Sequence, residues 1–455
     1  MRYSIKMRYS IKLCTITACL TIFLATSLFL TGCSSTPPQA PGSAVLFEGA
    51  RLVSGDGTVE NSAFLVENGR FTKVGKKGEV DAPAGATRVD LTGKTVIPAL
   101  IDTHSHLGWL IVKTGQMDKD SYSKENLIDN LKRDAYYGVG ANRNLGIDPG
   151  EAVYEIRANP VPGVPLLRTA GRGIAMPNAG PGRDYWRPVA YGLTTEADAR
   201  KAVQELAAKR VDIVKIWVDD RNGTVKKLTP ALYRAVIDEA HKNHLQVIAH
   251  IFYLSDAKDL LNAGIDAFAH LVRDRDVDDE FMKMMKAHPN VYVTTNLPEN
   301  PDATPDYALI SETVPAAEVQ RLKDAAANMK PEDIKKARDF FGIQARNLAK
   351  FNAAGIKIVL GTDSSETVGW PVHTELADMV AAGMTPAQVL TAATKNGADV
   401  LKLYDMGAIA AGKSADFDVL DANPLDDIRN TRKIAKVYLR GVEVDRAALR
   451  AEFTK

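Results

Sequence analysis

Cysteine is scarce in this 455-residue chain, which contains three cysteines in total. All three lie at the N-terminus, as Cys14, Cys19 and Cys33. Because the rest of the sequence has no thiol, disulfide bonds, zinc–thiolate sites and cysteine nucleophiles are excluded from it. This absence suits an oxidising compartment without proving one. Any metal site or nucleophile must therefore be built from other side chains.

An excess of charge of one sign is also missing. The chain has 57 Lys and Arg residues against 56 Asp and Glu residues, so its formal net charge is +1. This balance gives no support to binding of nucleic acid or of another polyanion. The hydrophobic content of 45% and the charged content of 25% are typical of a globular protein. The length suffices for one large domain and a smaller one.

The N-terminal segment combines a basic start with an apolar stretch. Four basic residues precede the mostly apolar segment 13–30, and the sequence Leu30-Thr31-Gly32-Cys33 follows. This arrangement resembles a bacterial lipoprotein signal with its lipobox, which implies cleavage before Cys33 and lipidation of that cysteine. The alternative is an N-terminal transmembrane anchor, because a stretch of about 18 apolar residues almost spans a bilayer.

We therefore predict a signal peptide over residues 1–32, and a lipidated Cys33 that begins a Ser/Pro-rich tether over residues 33–43. The expected location is the bacterial cell envelope, with the protein anchored by lipid at the outer membrane or facing the periplasm. A lipid bilayer is then one partner of the chain. Because the first six residues occur twice in succession, the start at Met1 or at Met7 stays open.

Two kinds of strand pattern divide the remaining chain. Residues 44–95 carry short alternating strands broken by glycine turns, and Asn68-Gly69 is a hairpin signal. Over residues 96–404, apolar strands alternate with helical segments, which favours parallel βα units. Residues 405–455 return to strand patterning. We therefore predict an α/β protein, in which a (β/α)8 TIM-type barrel carries a small β-sandwich domain built from both chain ends.

The barrel prediction depends on eight candidate strands, of which the first begins at Val96. Thr195 and Thr229 open predicted helices between them. A segment over 297–337 is too long for a simple connection, so it is either a lid over the active site or passive cover. The other seven candidate strands are 137–142, 165–169, 212–217, 246–250, 267–270, 291–295 and 356–361.

Four histidines fall at the carboxyl ends of these predicted strands, where a barrel of this type has its active site. Residues i and i+2 of a strand point to the same side, so His104 and His106 can project together. Two imidazoles at this spacing can hold one metal ion, although the motif alone is equally compatible with two surface histidines. His250 and His270 end two later strands, and their position favours the metal site.

Lys215 and Asp363 extend this set of candidate ligands. Lys215 lies inside an apolar strand, where a lysine needs a partner or must lose its charge. It either pairs with a core carboxylate or is carboxylated by carbon dioxide and bridges two metal ions. Asp363 follows the eighth strand, and it is either a helix N-cap or a metal ligand that doubles as general base.

Together these residues resemble the amidohydrolase superfamily, and the resemblance covers about residues 44–444. It is greatest to the imidazolonepropionase-like and Xaa-Pro dipeptidase branch, in which a carboxylated lysine bridges two metals. The matching positions are His104 and His106 on strand one, Lys215 on strand four, His250 and His270 on strands five and six, and Asp363 on strand eight.

The resemblance implies two divalent metal ions. Nitrogen and oxygen ligands of this kind suit Zn²⁺, while Mn²⁺, Co²⁺ and Fe²⁺ stay open. The ions would activate a hydrolytic water and polarise the substrate carbonyl, and Asp363 would carry a proton to the leaving amine. The first ion would be held by His104, His106, Lys215 and Asp363, and the second by Lys215, His250 and His270.

The expected substrate contacts are Asn178, Tyr253 and Arg273. Related dipeptidases usually carry a histidine near the end of strand three, where this chain has Asn178. Tyr253 and Arg273 each lie three residues past a candidate ligand histidine, and an arginine there could bind a substrate carboxylate in a bidentate manner. The alternative for Arg273 is an ion pair within the segment 273–276.

The combined prediction is a membrane-anchored binuclear metallohydrolase that cleaves a C–N amide bond, with a dipeptide or an N-acyl amino acid as substrate. A hydrolase of cyclic amides or lactones is the second interpretation. A non-catalytic, metal-dependent binding lipoprotein is the alternative of a different class, and the complete ligand set with Asp363 argues against it. The sequence leaves the native metal open, as well as the choice between a monomer and a homo-oligomer.

Overall fold

The computed structural model describes residues 44–55 and 57–454. The predicted signal peptide, the tether and Cys33 lie outside the described residues, so the predicted lipid anchoring and location stay predictions. Asn68 and Gly69 join the strands β4 (Ser62–Glu67) and β5 (Arg70–Lys76). Their φ values of 51° and 74° confirm the predicted hairpin turn. The first seven strands are β1 (Val45–Glu48), β2 (Arg51–Ser54), β3 (Gly57–Val59), β4 (Ser62–Glu67), β5 (Arg70–Lys76), β6 (Thr87–Asp90) and β7 (Thr95–Pro98).

Ten strands of the middle region pair in parallel, in the orders β10-β9-β8 and β12-β11-β13-β14-β15-β16-β17. The seven strands predicted after the first correspond to β9, β10 and β13 to β17. Their bounds are β8 (Leu100–Ser105), β9 (Val139–Asn144), β10 (Leu166–Thr169), β11 (Ile174–Ala175), β12 (Tyr191–Gly192), β13 (Val214–Val218), β14 (Val247–Ile251), β15 (Ala267–Ala269), β16 (Tyr292–Thr294) and β17 (Lys357–Val359).

Backbone hydrogen bonds cross both seams between these two parallel sheets, although regular strand pairing is interrupted there. At one seam the Thr103 N–H donates to Leu360 O at 3.0 Å, and at the other the Asp212 N–H donates to Thr169 O at 2.9 Å. Leu145, which directly follows β9, shares one buried apolar cluster with Ile248 of β14. The two sheets therefore face a common interior.

The helices between the strands begin where the sequence indicates. Thr195 caps α3 in a reciprocal capping box with Asp198, and Pro230 is the first residue of α4. Within the described part of the chain, every helix is too short or too polar to cross a membrane. The α-helices are α1 (Lys124–Tyr136), α2 (Ala152–Ala158), α3 (Glu196–Ala208), α4 (Pro230–Lys242), α5 (Leu254–Asn262), α6 (Asp279–Ala287), α7 (Tyr307–Ile310), α8 (Ala316–Ala327), α9 (Pro331–Ala353), α10 (Pro371–Ala381), α11 (Pro386–Ala393), α12 (Lys395–Val400) and α13 (Arg446–Phe453).

The long segment after β16 contains α7, α8 and the start of α9. The Tyr137 hydroxyl donates to Leu309 O at 2.8 Å, and the Tyr136 hydroxyl donates to Glu312 at 2.7 Å. Arg446 of α13 lies 3.5 Å from the same Glu312 carboxylate. These contacts attach the segment to the end of α1 and to α13, which favours passive cover over a lid.

The chain ends form two further sheets, in the orders β5-β4-β1-β6 and β20-β19-β18-β7-β2-β3. The C-terminal strands are β18 (Phe417–Leu420), β19 (Ile434–Leu439) and β20 (Val442–Glu443). Phe47 and Phe64 of one sheet pack against Phe417 of the other, with ring centroids 5.3 Å apart in each pair. N-terminal and C-terminal strands therefore share one apolar core, as the strand patterns at the two chain ends indicate.

The predicted start of the first barrel strand at Val96 is wrong. Val96 lies in β7, which pairs in an antiparallel manner with β18 and in a parallel manner with β2. The strand that carries the histidines is β8, which begins at Leu100. A single residue, Ala99, separates it from the end of β7. Both strands are buried, so the apolar run is continuous across two sheets. The other predicted domain boundaries stay predictions, because the described residues all belong to one compact unit.

Candidate metal centre

His104 and His106 project from the carboxyl end of β8 towards the segment after β17. His104 Nε2 lies 3.2 Å from Asp363 Oδ1, and His106 Nε2 lies 3.1 Å from the same oxygen. One nitrogen or oxygen atom from each of these three residues lies within 4.8 Å of the others, which is a spacing suited to one metal ion. We call His104, His106 and Asp363 the first ligand group.

The orientation of both imidazoles is set by bonds at Nδ1. His104 Nδ1 lies 3.0 Å from Asn296 Oδ1, and His106 Nδ1 lies 3.3 Å from Gly146 O. Each acceptor oxygen requires a proton on Nδ1, so the lone pair of each ring lies on Nε2. In both rings this lone pair faces Asp363, as metal ligation requires.

We call the three other predicted ligands, Lys215, His250 and His270, the second ligand group. Its member His270 lies next to the first group, because the centroid of its ring lies 4.5 Å from that of His250 and 5.0 Å from that of His104. Lys215 is fully buried in β13. Among the described residues, Lys215 Nζ and His270 Nδ1 have no hydrogen-bond partner. Buried polar atoms without partners are costly, and a bound metal ion or a modified lysine would satisfy them.

Burial keeps the ligand residues in the protonation states that bind metal. It lowers the pKa of His104 to about 3, with the charge of Lys215 adding to the effect, and it lowers the pKa of His250 to about 3. Burial also lowers the pKa of Lys215 to about 7. Neutral imidazoles beside an ionised carboxylate fit a divalent cation.

Strained backbone is concentrated at this centre. Asp363, His270 and Asn296 have φ values of 55°, 87° and 45°, in the left-handed region that residues other than glycine rarely adopt. Such strain persists only where the surroundings impose it, and it is commonest at functional sites. Gly361 allows the close approach of two strands here, because a Cβ atom would lie 2.3 Å from Thr294 Cγ2 and 2.8 Å from His104 Cβ.

Arg273 interacts electrostatically with Asp363 and Asp219, and its predicted contact with the substrate stays a prediction. The pKa of its guanidinium is lowered by burial and raised by the charges of Asp363 and Asp219, so the group stays protonated beside two carboxylates. The alternative, an ion pair between Arg273 and an aspartate of the segment 273–276, finds no support among the described residues. Asp274 pairs with Arg275 at 2.6 Å, and Asp276 pairs with an arginine of α9 at 2.9 Å.

The other two predicted substrate contacts, Tyr253 and Asn178, lie in loops after strands. The Tyr253 hydroxyl donates to Asp220 Oδ1 at 2.8 Å, which directs it to the loop after β13. Asn178 lies in an exposed turn with a φ of 57°. Its predicted role towards the substrate stays a prediction.

Sequence reasoning missed three residues that shape the centre. Asn296 holds His104, Asp219 accepts from His250 Nε2 at 3.0 Å, and Arg221 donates to Gly180 O at 2.6 Å near Asp363. For Asn296 and Asp219, the one signal in the sequence is that each lies within two residues of the end of a predicted strand. Polar residues at such positions are common in loops, so position alone does not identify them.

Comparison with known proteins identifies the family. The model of the amidohydrolase family matches residues 95–444. Imidazolonepropionase of Deinococcus radiodurans is 26% identical over 407 residues, which cover 85% of this chain and 92% of the relative. Ochratoxinase of Aspergillus niger is 25% identical over 419 residues, with 83% and 81% covered.

A solved structure of a proposed prolidase from Bifidobacterium longum shares 27% identity with a TM-score of 0.70. The likeness covers 91% of this chain and all of that chain. Family and neighbour together imply a TIM-type barrel with an additional domain. Since the family match spans most of the chain and includes every residue of both ligand groups, the chain belongs to the amidohydrolase family and is a hydrolytic enzyme.

Proposed function

We propose that this enzyme is a binuclear metal-dependent hydrolase that cleaves a C–N amide bond in a dipeptide or an N-acyl amino acid. The single observation that carries the proposal is the convergence of the first ligand group with His250 and His270 near the carboxyl ends of parallel strands. In this proposal the two parallel sheets are parts of one (β/α)8 barrel, which agrees with the hydrogen bonds across their seams.

In the proposed site, two divalent ions are held, with zinc as the expected metal because the ligands are nitrogen and oxygen atoms. When bound, such ions lower the pKa of a coordinated water and polarise a carbonyl oxygen. The first ion would be held by His104, His106, Lys215 and Asp363, and the second by Lys215, His250 and His270.

Lys215 would serve both ions as a carboxylated side chain. Its neutral amine would attack carbon dioxide, form an N–C bond and release one proton, and the product would present two oxygen atoms. Complete burial, the absence of a hydrogen-bond partner among the described residues and the lowered pKa all support this role. The alternative of a pair with a core carboxylate finds no support in these contacts.

Asp363 is positioned to act as general base and then as general acid. Its carboxylate is ionised and its side chain is 41% exposed, so substrate and water can reach it. It would accept a proton from the attacking water and deliver it to the leaving amine nitrogen. Amine departure requires such a proton, because an unprotonated amide anion is a very poor leaving group.

Arg273 would bind the carboxylate of the substrate. Its Nε is buried and has no hydrogen-bond partner among the described residues, while the nearby aspartates of its own segment are paired elsewhere. A planar guanidinium suits a carboxylate, which it can bind through two parallel hydrogen bonds. A free carboxylate next to the cleaved bond is present in dipeptides and N-acyl amino acids, whereas simple lactones and cyclic amides lack it.

A hydrolysis screen of the zinc-loaded, full-length protein tests this proposal. We expect release of a free amino acid from dipeptides or N-acyl amino acids, with the matched C-terminal amides much poorer substrates. Activity on lactones or cyclic amides alone would favour the second interpretation. Turnover of none of these would overturn the proposed substrate class. The lipid anchor at Cys33 is a separate proposal, tested by membrane fractionation of the wild-type and Cys33→Ala proteins.

A further inference from the structure

Asp219 makes a buried contact with a ligand histidine that the proposed chemistry does not use. Its Oδ2 accepts a hydrogen bond from His250 Nε2 at 3.0 Å, and the two side chains are 5% and 8% exposed. The other oxygen, Oδ1, accepts from the Arg221 backbone N–H at 2.8 Å. Both carboxylate oxygens are therefore occupied, and the orientation of Asp219 is set by the loop after β13.

This contact determines which nitrogen of His250 can face a metal ion. Because Asp219 takes the proton on Nε2, the lone pair of the ring lies on Nδ1. The arrangement is the reverse of that in the first ligand group, where His104 and His106 are held at Nδ1 and present Nε2. An imidazole without a partner could take either tautomer and could turn about its Cβ–Cγ bond.

We propose that Asp219 is the positioning residue of the second metal ion, and that it holds His250 in the tautomer and orientation that present Nδ1 to that ion. This inference rests on the proposed function, since it presumes that the second ligand group binds metal. An anionic acceptor also makes the opposite ring nitrogen more basic, which strengthens the bond to the metal. Asp219 directly follows β13 and lies four positions after Lys215 of that strand, so one segment would supply both a ligand and the support of another ligand.

The neighbouring residue provides a matched control. Asp220 has the same side chain and lies on the same loop, but its Oδ1 accepts from the Tyr253 hydroxyl at 2.8 Å instead of from a ligand histidine. Asp220 Oδ1 also accepts from the Gly223 backbone N–H at 3.1 Å, so its removal takes away a loop contact of the same kind and leaves the His250 contact in place.

The test is a zinc titration of the full-length wild-type, Asp219→Ala, Asp219→Asn and Asp220→Ala proteins, in competition with a chromophoric chelator. We expect Asp219→Ala to lower the affinity for one of the two zinc ions by about 10–100-fold and to leave the other unchanged. Asp219→Asn keeps an oxygen acceptor for Nε2, so we expect partial recovery. Asp220→Ala should bind both ions as the wild type does. Melting temperatures of the zinc-free proteins show whether each variant is folded.

Three results would overturn the positioning role. One is an Asp219→Ala protein whose two zinc affinities equal those of the wild type, and another is equal loss in Asp219→Ala and Asp220→Ala. If Asp219→Ala does not fold, an Asp219→Asn protein with wild-type affinity for both ions would also contradict it. In each case a wild type that binds two ions and hydrolyses amides leaves the proposed function intact. A wild type that binds no zinc would instead overturn the proposed function, and this role with it.

Discussion

The two ligand groups differ in how the protein holds them. In the first group, Asn296 and Gly146 O fix the two imidazoles, and Asp363 lies against both Nε2 atoms. In the second group, Asp219 fixes His250, whereas Lys215 Nζ and His270 Nδ1 are buried and lack hydrogen-bond partners among the described residues. Each such atom costs about 1–3 kcal/mol. Among the described residues the first group has one such atom, His104 Nε2, and the second group has two. The first group is thus held more completely by protein contacts, while the second gains more from a bound ion.

The largest expected effect concerns the group that carries the proton. Asp363→Asn removes the base but keeps the side-chain shape, so we expect turnover to fall by about 10²–10⁴-fold. Much of the zinc should remain, because the imidazoles of the first group are held independently at Nδ1. Rates of amide hydrolysis and zinc content per chain check this result. A fully active Asp363→Asn enzyme would refute the proposed mechanism.

Lys215→Ala tests whether the second group depends on a bound ion. We expect loss of at least the second zinc ion and of most activity, because the bridging ligand is gone. The wild-type, metal-free protein should recover activity with zinc faster when bicarbonate is added, and Lys215→Ala should not respond to bicarbonate. Lys436→Ala is the control, since Lys436 lies in the sandwich strand β19 and pairs with Glu443 of β20 at 2.8 Å. Unchanged metal content and activity in Lys215→Ala would remove the bridging role.

Asn296→Ala tests whether protein contacts hold the first group. The Nδ1 atom of His104 would lose its acceptor, so we expect the affinity for the first zinc ion to fall by about 10–100-fold while the second ion is retained. This pattern is the mirror image of that expected for Asp219→Ala. Asn328→Ala, at the exposed end of α8, should leave both affinities unchanged. Loss of the second ion alone in Asn296→Ala would contradict the comparison.

The smallest expected effect is a packing change beneath the first group. Gly361→Ala would place a methyl group against Thr294 and His104, and such overpacking costs about 1–3 kcal/mol of unfolding free energy. Urea denaturation of the zinc-free protein measures it. Gly150 has open space around it, so Gly150→Ala should stay within about 0.5 kcal/mol of the wild type. Equal stabilities of the two variants would show that the strands can separate without cost.

Strand patterns predicted the main parts of this molecule well. All seven candidate strands after the first have a counterpart within a few residues, and His250 and His270 lie together because parallel strands end at one edge. A buried parallel strand reads as a continuous apolar run, and so does a buried sandwich strand. For that reason the sequence pattern does not locate the boundary between β7 and β8, and it places Val96 in the barrel instead of in the sandwich.

Contacts between residues far apart in the sequence could not be predicted from the sequence alone. Asn296 meets His104 across 192 positions, and no local pattern distinguishes it from any other asparagine after a strand. The partner of Arg273 was equally open, because four charged residues in succession allow several pairings. In the structure Asp276 pairs with an arginine 70 positions away on α9 instead of with Arg273.

The short passage from β7 to β8 has a consequence for the order of events during synthesis. Pro98 at the end of β7 pairs with Phe417 of β18, more than 300 positions later, and a single residue separates β7 from the strand that carries His104 and His106. The pairing of β7 with β18 therefore waits for the last tenth of the polypeptide to emerge, whereas its pairing with the N-terminal β2 does not. Pairings between such distant segments form slowly, because a long loop must close before they contribute. A chain truncated after residue 404 would contain all six candidate ligands but would lack the β18 pairing next to the first ligand strand.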